Sequence, residues 1–425
     1  MSKIFPHRVA VTAVGFVCSI GNDAQTVDAS LRELRNGIEV YPPFDKPEIP
    51  IKLAGTIKDF KTDSTDPEDW TFPARYKIRR EVLRGFSPHV LYAYCATLQA
   101  IENAKLTPEQ VSNPDTGMYT ASAGSVYFLH NQISRMYAMG VNRCSPMGIV
   151  SSVTGTLSYN LVAAFKIQGA SCGFASACAS SAHAAGMAWD AIASGRQKRM
   201  FVVGGEDGNT DSILPFAGMR ALSSNPDPAT GSRPFDKKRD GFVGTGGAAV
   251  VVLEEWESAK ERGAPILAEF LGWGQASDGY NVAISHPEGA GLARAMENAL
   301  KETGLTPEQI DYINAHGTST PIGDHSEILA VKKVFGVNPK VAVGSTKAIT
   351  GHGLSLAGAM EAGFCALAIH NGYTPGTAHT SELDPVAEGL NIPLQTLPVG
   401  PTIAMSNSSG FGGANVSLIF AKPGV

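Results

Sequence analysis

Apolar, β-branched runs alternate with helical patterns along this chain. Residues 9–17 read as a strand and 26–35 as a helix, and a helix over 179–194 leads into a strand at 201–205. A further strand at 248–253 precedes helical residues 257–263. Such alternation predicts an α/β layered fold. The helix after Cys178 is rich in Ala, Met and Trp, opens on small residues, and meets Gly195 as its stop. Two uncharged stretches, 144–165 and 167–189, are long enough to raise a membrane question. They are threaded with Ser, Thr, Asn and Gly, so they read as buried core and not as membrane-inserted segments.

Two segments echo each other. Gly241-Phe-Val-Gly-Thr-Gly-Gly and Gly410-Phe-Gly-Gly each place a Gly-Phe and a glycine cluster before an apolar strand. This pattern predicts two similar lobes, 1–262 and 263–425, within one continuous body. The length of 425 residues fits such a two-lobed domain or two to three smaller ones. With 17% charged residues and a net charge of -5, nucleic acid is excluded as a partner on composition. Lys3 and Arg8 precede an apolar run, but 9–21 reads as strand and turn, without the features of an export signal. The six cysteines show no metal-ligand spacing and are too sparse for a disulfide framework, which points to a reducing cytoplasm.

The chemistry concentrates in a cysteine and two distant histidines. Cys178 lies in Ser-Ala-Cys-Ala-Ser-Ser-Ala-His, at the start of the predicted helix, where unpaired N–H groups and the helix dipole favour a thiolate and can receive an oxyanion. His183, five residues on, falls on another face, and together with Cys172 is read as structural. His316 leaves the apolar run 310–313 into a hydroxyl-rich turn, Asn314-Ala-His-Gly-Thr-Ser-Thr-Pro-Ile-Gly-Asp. Asp324 and Glu327 suit the start of the helix that follows. Lys347 and His352 share Ser-Thr-Lys-Ala-Ile-Thr-Gly-His-Gly, and a buried Lys347 needs a counter-charge that Glu361 on the next helix can supply. Residues 406–415 are too glycine-rich for a core element. They can set Phe411 and its backbone N–H over the nucleophile as gate and oxyanion donor.

In combination with Arg233-Pro-Phe-Asp and Arg239-Asp-Gly-Phe, these blocks resemble, in order, those of the β-ketoacyl-[acyl-carrier-protein] synthases of the thiolase-fold superfamily, nearer to type I than type II. The resemblance implies a five-layer α-β-α-β-α homodimer without a required cofactor. It implies that Cys178 takes the acyl chain, that His316 and His352 serve decarboxylation of a malonyl thioester, and that Lys347 and Glu361 set the charge near them. Thr318 and Thr320 would line the phosphopantetheine arm of an acyl carrier protein. The resemblance also implies a monovalent cation near Asn314, Glu361, Ser406 and Asn407, and carrier docking on the basic stretch 75–84, chiefly at Arg80 and Arg84. Ser409 stands where the family carries Phe, and Gly353, Ser355 and Leu356 depart from its usual run after His352. These four bear on acyl length and branching. The alternatives are a coenzyme A thiolase, which would need a second cysteine near the C-terminus, and a non-catalytic partner subunit, which would have lost the nucleophile.

Overall fold

The computed structural model describes residues 6–425, so Lys3 lies outside the described residues. Ten strands form the main sheet: β1 (Val9–Val17), β2 (Thr116–Ala121), β3 (Ser171–Phe174), β4 (Arg199–Glu206), β5 (Gly247–Glu255), β6 (Ala268–Ser277), β7 (Tyr312–Asn314), β8 (Ala342–Gly344), β9 (Ile403–Gly410) and β10 (Ala414–Ala421). Their spatial order is β8-β7-β9-β10-β6-β1-β5-β4-β2-β3. The first five strands and the last five follow the same plan. β2 runs parallel to both β3 and β4, while β4 pairs antiparallel with β5, and β5 with β1. β7 runs parallel to both β8 and β9, while β9 pairs antiparallel with β10, and β10 with β6. The two sets meet only at a corner, where Val9–Val11 pair with Ala268–Phe270.

The longer helices are α1 (Ala24–Glu33), α2 (Pro88–Asn103), α3 (Val126–Met139), α4 (Thr156–Phe165), α5 (Ser180–Ala193), α6 (Ala290–Thr303), α7 (Pro321–Phe335) and α8 (Ala357–Asn371). α5 and α8 lie between the two sets of strands and share one core with both, including Val14, Val202, Ala404 and Leu418. α2 and α4 cover the outer face of the first set, and α6 and α7 that of the second. The result is the five-layer α-β-α-β-α thiolase-type arrangement. Small residues make the middle layer possible. A Cβ on Gly358 of α8 would fall 2.4 Å from the backbone nitrogen of Ala182 on α5, so the two helices touch backbone to backbone. Strands buried on both faces need apolar residues at every position, and β1 is buried throughout its nine residues.

Two expectations are corrected. Residues 144–150 are largely exposed, with Ile149 at 56%, and Val126, Ile133, Tyr137 and Tyr159 are exposed as well. β3, inside the second uncharged stretch, is an exposed edge strand. An uncharged composition reports that a surface avoids water, not that this chain alone covers it. Residues 406–408 prove to be buried strand: Ser406, Asn407 and Ser408 fill β9, which runs half-buried to Gly410, and only 411–413 turn. Small polar residues are accommodated there because β7 and β10 flank the strand on both sides.

Candidate active site

Cys178, the candidate nucleophile, sits two residues before α5, on a tight elbow and not in the helix itself. Ala177 adopts φ +48°, a left-handed conformation costly for a residue with a Cβ. Ser180 holds this elbow: its hydroxyl donates to the carbonyl of Ala177 (2.6 Å) and accepts from the N–H of Ser176 (2.8 Å). His183 is structural, as its position suggested, with Nδ1 on Ser176 Oγ at 2.8 Å and Nε2 on Gln275 at 3.0 Å. Burial pushes the Cys178 thiol up to about 12, and the nearby charge of Lys347 offsets only part of this.

Cys178, His316 and His352 line one cavity of about 380 Å³, together with Thr318, Thr320, Ser409 and Phe411. The imidazoles of His316 and His352 meet edge to face at 5.2 Å, and Phe242 packs edge-on against His352 at the same distance. Burial and the charge of Lys347 hold both histidines well below the usual imidazole range, so both are neutral at neutral pH. Lys347 and Glu361 are fully buried and joined directly as an ion pair. Burial raises the Glu361 carboxyl to about 7 against the opposing pull of Lys347.

Asp324 and Glu327 face back from α7 onto the histidine loop. Glu327 accepts from the N–H groups of His316 (2.9 Å) and Gly317 (2.7 Å), and Asp324 from those of Ser319 (3.1 Å) and Phe235 (2.9 Å). Arg239 secures the same turn by donating to the carbonyls of Thr320 and Pro321. The turn at 410–413 closes over the nucleophile. A Cβ on Gly410 would lie 2.4 Å from the carbonyl oxygen of Ser176 and 3.2 Å from the nitrogen of Cys178, so glycine is required there. Phe411 is 39% exposed and its ring stands 6.2 Å from that of Phe216, at the cavity's edge.

Behind the histidines lies a group of buried polar atoms without protein partners: both side-chain heteroatoms of Asn314, Oε2 of Glu361, and the hydroxyls of Ser406 and Ser408. Asn314 and Ser406 are direct register partners on β7 and β9. Asn407, next on β9, is fully buried, with Oδ1 taken by Ser417 and Nδ2 contacting Glu327. Oxygen donors with unmet capacity fit a hard monovalent cation.

Arg80 and Arg84 do not line this cavity and are not free: both guanidinium groups bind Glu68, at 2.6 and 2.8 Å. Several residues of the site were not singled out in the sequence. Ala177 and Gly410 act through backbone geometry, which leaves no spacing signal, and Ser180 acts through local hydrogen bonds of its hydroxyl. Asp278 and Asn415 join Ser409, which the sequence had marked, in a polar wall of the cavity, with Ser409 donating to Asn415 (2.7 Å) and Asn415 to Asp278 (2.9 Å).

A convergent cysteine and two neutral histidines, drawn from opposite halves of a doubled sheet, match a known group of enzymes. The Beta-ketoacyl synthase N-terminal domain model matches residues 7–259, and the C-terminal domain model matches 267–381. The chain belongs to the β-ketoacyl synthase family. Among curated members, 3-oxoacyl-[acyl-carrier-protein] synthase 1 of Haemophilus influenzae is 41% identical over 98% of this chain and 99% of its own. The enzyme of the same name from Escherichia coli is 38% identical, with the same coverage. Among solved structures, a β-ketoacyl synthase from Burkholderia phymatum superposes with a TM-score of 0.89 at 32% identity, over 98% of this chain and 99% of that one.

Proposed function

We propose that this chain is a β-ketoacyl-[acyl-carrier-protein] synthase, an acyltransferase of fatty-acid synthesis that lengthens an acyl chain by two carbons through decarboxylative condensation. The observation that carries the reading is the convergence of Cys178, His316 and His352 on one cavity. Cys178 attacks the thioester of an acyl carrier protein, its proton leaves with the carrier's thiol, and an acyl-enzyme forms. Malonyl carrier then enters past Thr318 and Thr320. Neutral imidazoles can donate hydrogen bonds to the thioester carbonyl without a charge of their own. His316 and His352 thereby stabilise the enolate formed as carbon dioxide leaves. The enolate carbon attacks the acyl thioester on Cys178, the backbone N–H groups of Cys178 and Phe411 hold the oxyanion, and the thiolate departs. Lys347, paired to Glu361, keeps positive charge behind the imidazoles and stabilises the departing thiolate.

No cofactor is required for this chemistry, since the phosphopantetheine arrives on the carrier. A structural monovalent cation, held by Asn314, Glu361, Ser406 and Asn407, would satisfy the orphaned oxygens behind the histidines. The acidic carrier docks on residues 75–84, where Arg80 and Arg84 exchange Glu68 for the partner's acidic groups. The division at 262/263 puts the nucleophile in one half and His316, Lys347 and His352 in the other. The protein works as a homodimer joined through β3 and the apolar surface beside it. Its six free cysteines suit a cytoplasmic setting, and no helix among the described residues is long and apolar enough to cross a membrane.

The test is intact mass of wild type and Cys178→Ser after exposure to a series of acyl-carrier proteins. Acylation of wild type alone, then loss of that mass with an elongated product on adding malonyl carrier, is the expected result. A folded wild type that no donor acylates would overturn the reading in favour of a non-catalytic partner subunit.

A further inference from the structure

His352 stands in the second half of the chain, yet its turn is anchored to the first half from two sides. Its backbone exchanges hydrogen bonds with the segment before β5, His352 N–H to Val243 carbonyl at 2.7 Å and Thr245 N–H to His352 carbonyl at 3.0 Å. On the far side the chain turns through Leu354, which adopts φ +51° and lines the cavity, into Ser355 and Leu356. That end is fixed by β4. Gly204 lets the Leu356 backbone approach so closely that a Cβ there would lie 3.0 Å from the Leu356 Cα. Two residues on, Glu206 accepts a hydrogen bond from the Ser355 hydroxyl and a second, at 3.2 Å, from the N–H of Ala123 in the loop after β2. Glu206 and Ser355 are 1% and 4% exposed, and Glu206 has no ion-pair partner among the described residues.

We infer that Glu206 and Ser355 form a positioning clamp that holds His352 over the nucleophile and is needed for the decarboxylation and condensation steps but not for acylation of Cys178. An unpaired buried carboxyl is costly and is retained only where its hydrogen bonds fix something. Here they tie together the β2 loop, the end of β4 and the turn that carries His352, three segments remote in sequence. Burial raises the Glu206 carboxyl to about 7 while the Ser355 hydroxyl pulls it down, so the hydrogen bond favours the carboxylate that accepts from both donors. His89, Asp207 and the Cys178 elbow are the other titratable groups close to it.

The inference rests on the condensing reading above, and its test separates the two. Ser355→Ala removes one hydroxyl. It should leave the rate of Cys178 acylation within about twofold of wild type and slow release of carbon dioxide from malonyl carrier about tenfold, as loss of one buried hydrogen bond predicts. Glu206→Ala should slow the same step at least as much, and Ser355→Ala added to it should cost nothing further, because the two act as a unit. Equal slowing of both half-reactions, no slowing of either, or additive effects would overturn the clamp. If Glu206→Ala does not fold, Ser355→Ala decides alone. A wild type that acylates but never condenses would sink the condensing reading itself, and the clamp with it.

Discussion

A nucleophile that rests as a thiol and acts as a thiolate must gain its reactivity on contact with substrate. With the Cys178 thiol pushed up to about 12, the fraction ionised rises about tenfold per pH unit through the working range. Alkylation of Cys178, followed by peptide-resolved mass spectrometry, should therefore rise about tenfold per unit from pH 7 to 9 without a plateau. A plateau below pH 9 would show a stable resting thiolate. Glu206 gives the opposite kind of test. Its carboxyl is raised in the folded protein from about 4.5 to about 7, so between those values the folded state binds the proton that the unfolded state has released. Its contribution to stability consequently falls as pH rises through that window. Glu206→Gln, which cannot ionise, should melt progressively higher relative to wild type as pH is raised from 5 to 8, and a difference independent of pH would contradict the assignment.

The elements show where the sequence was legible. Cys178, His316, Lys347 and His352 stood out because each lies in a run of small residues, and Glu361 followed from the need to neutralise Lys347. The strands within 201–205 and 248–253 and the helix over 179–194 appeared with boundaries close to those observed, since fully buried apolar strands and an alanine-rich helix leave strong patterns. The buried strand at 403–410 was hidden because Ser406, Asn407 and Ser408 imitate a loop. The elbow at Ala177 and the approach at Gly410 depend on dihedral angles that no spacing reports. At Cys178 desolvation works against the thiolate that the helix end and Lys347 favour. The crossing of α5 and α8 carries its own prediction. Gly358→Leu must drive a branched side chain into the Ala182 backbone, and it should lower stability to denaturant by about 1–3 kcal/mol or more. A variant as stable as wild type would show that the middle layer has room to spare.

At the level of the whole molecule, the proposed homodimer draws on the exposed edge strand β3 and on the exposed apolar residues of α3 and 144–150. Tyr137→Glu with Ile149→Glu puts two charges on that surface, where Tyr137 is 82% exposed. Sedimentation equilibrium should then move from twice the 44.6 kDa chain mass toward the single chain. A wild type that sediments as a monomer, or a doubly charged variant that stays dimeric, would remove this surface from the interface.

The repeated strand order has a consequence for tolerance to mutation. One plan of five strands is used twice, yet in the proposed mechanism the duties are divided: Cys178 belongs to the first use and both imidazoles to the second. Duplicated machinery often shelters damage, because a spare copy can stand in for a lost one. Here the duplication supplies shape without any spare chemistry, so every inactivating change at Cys178, His316 or His352 is final.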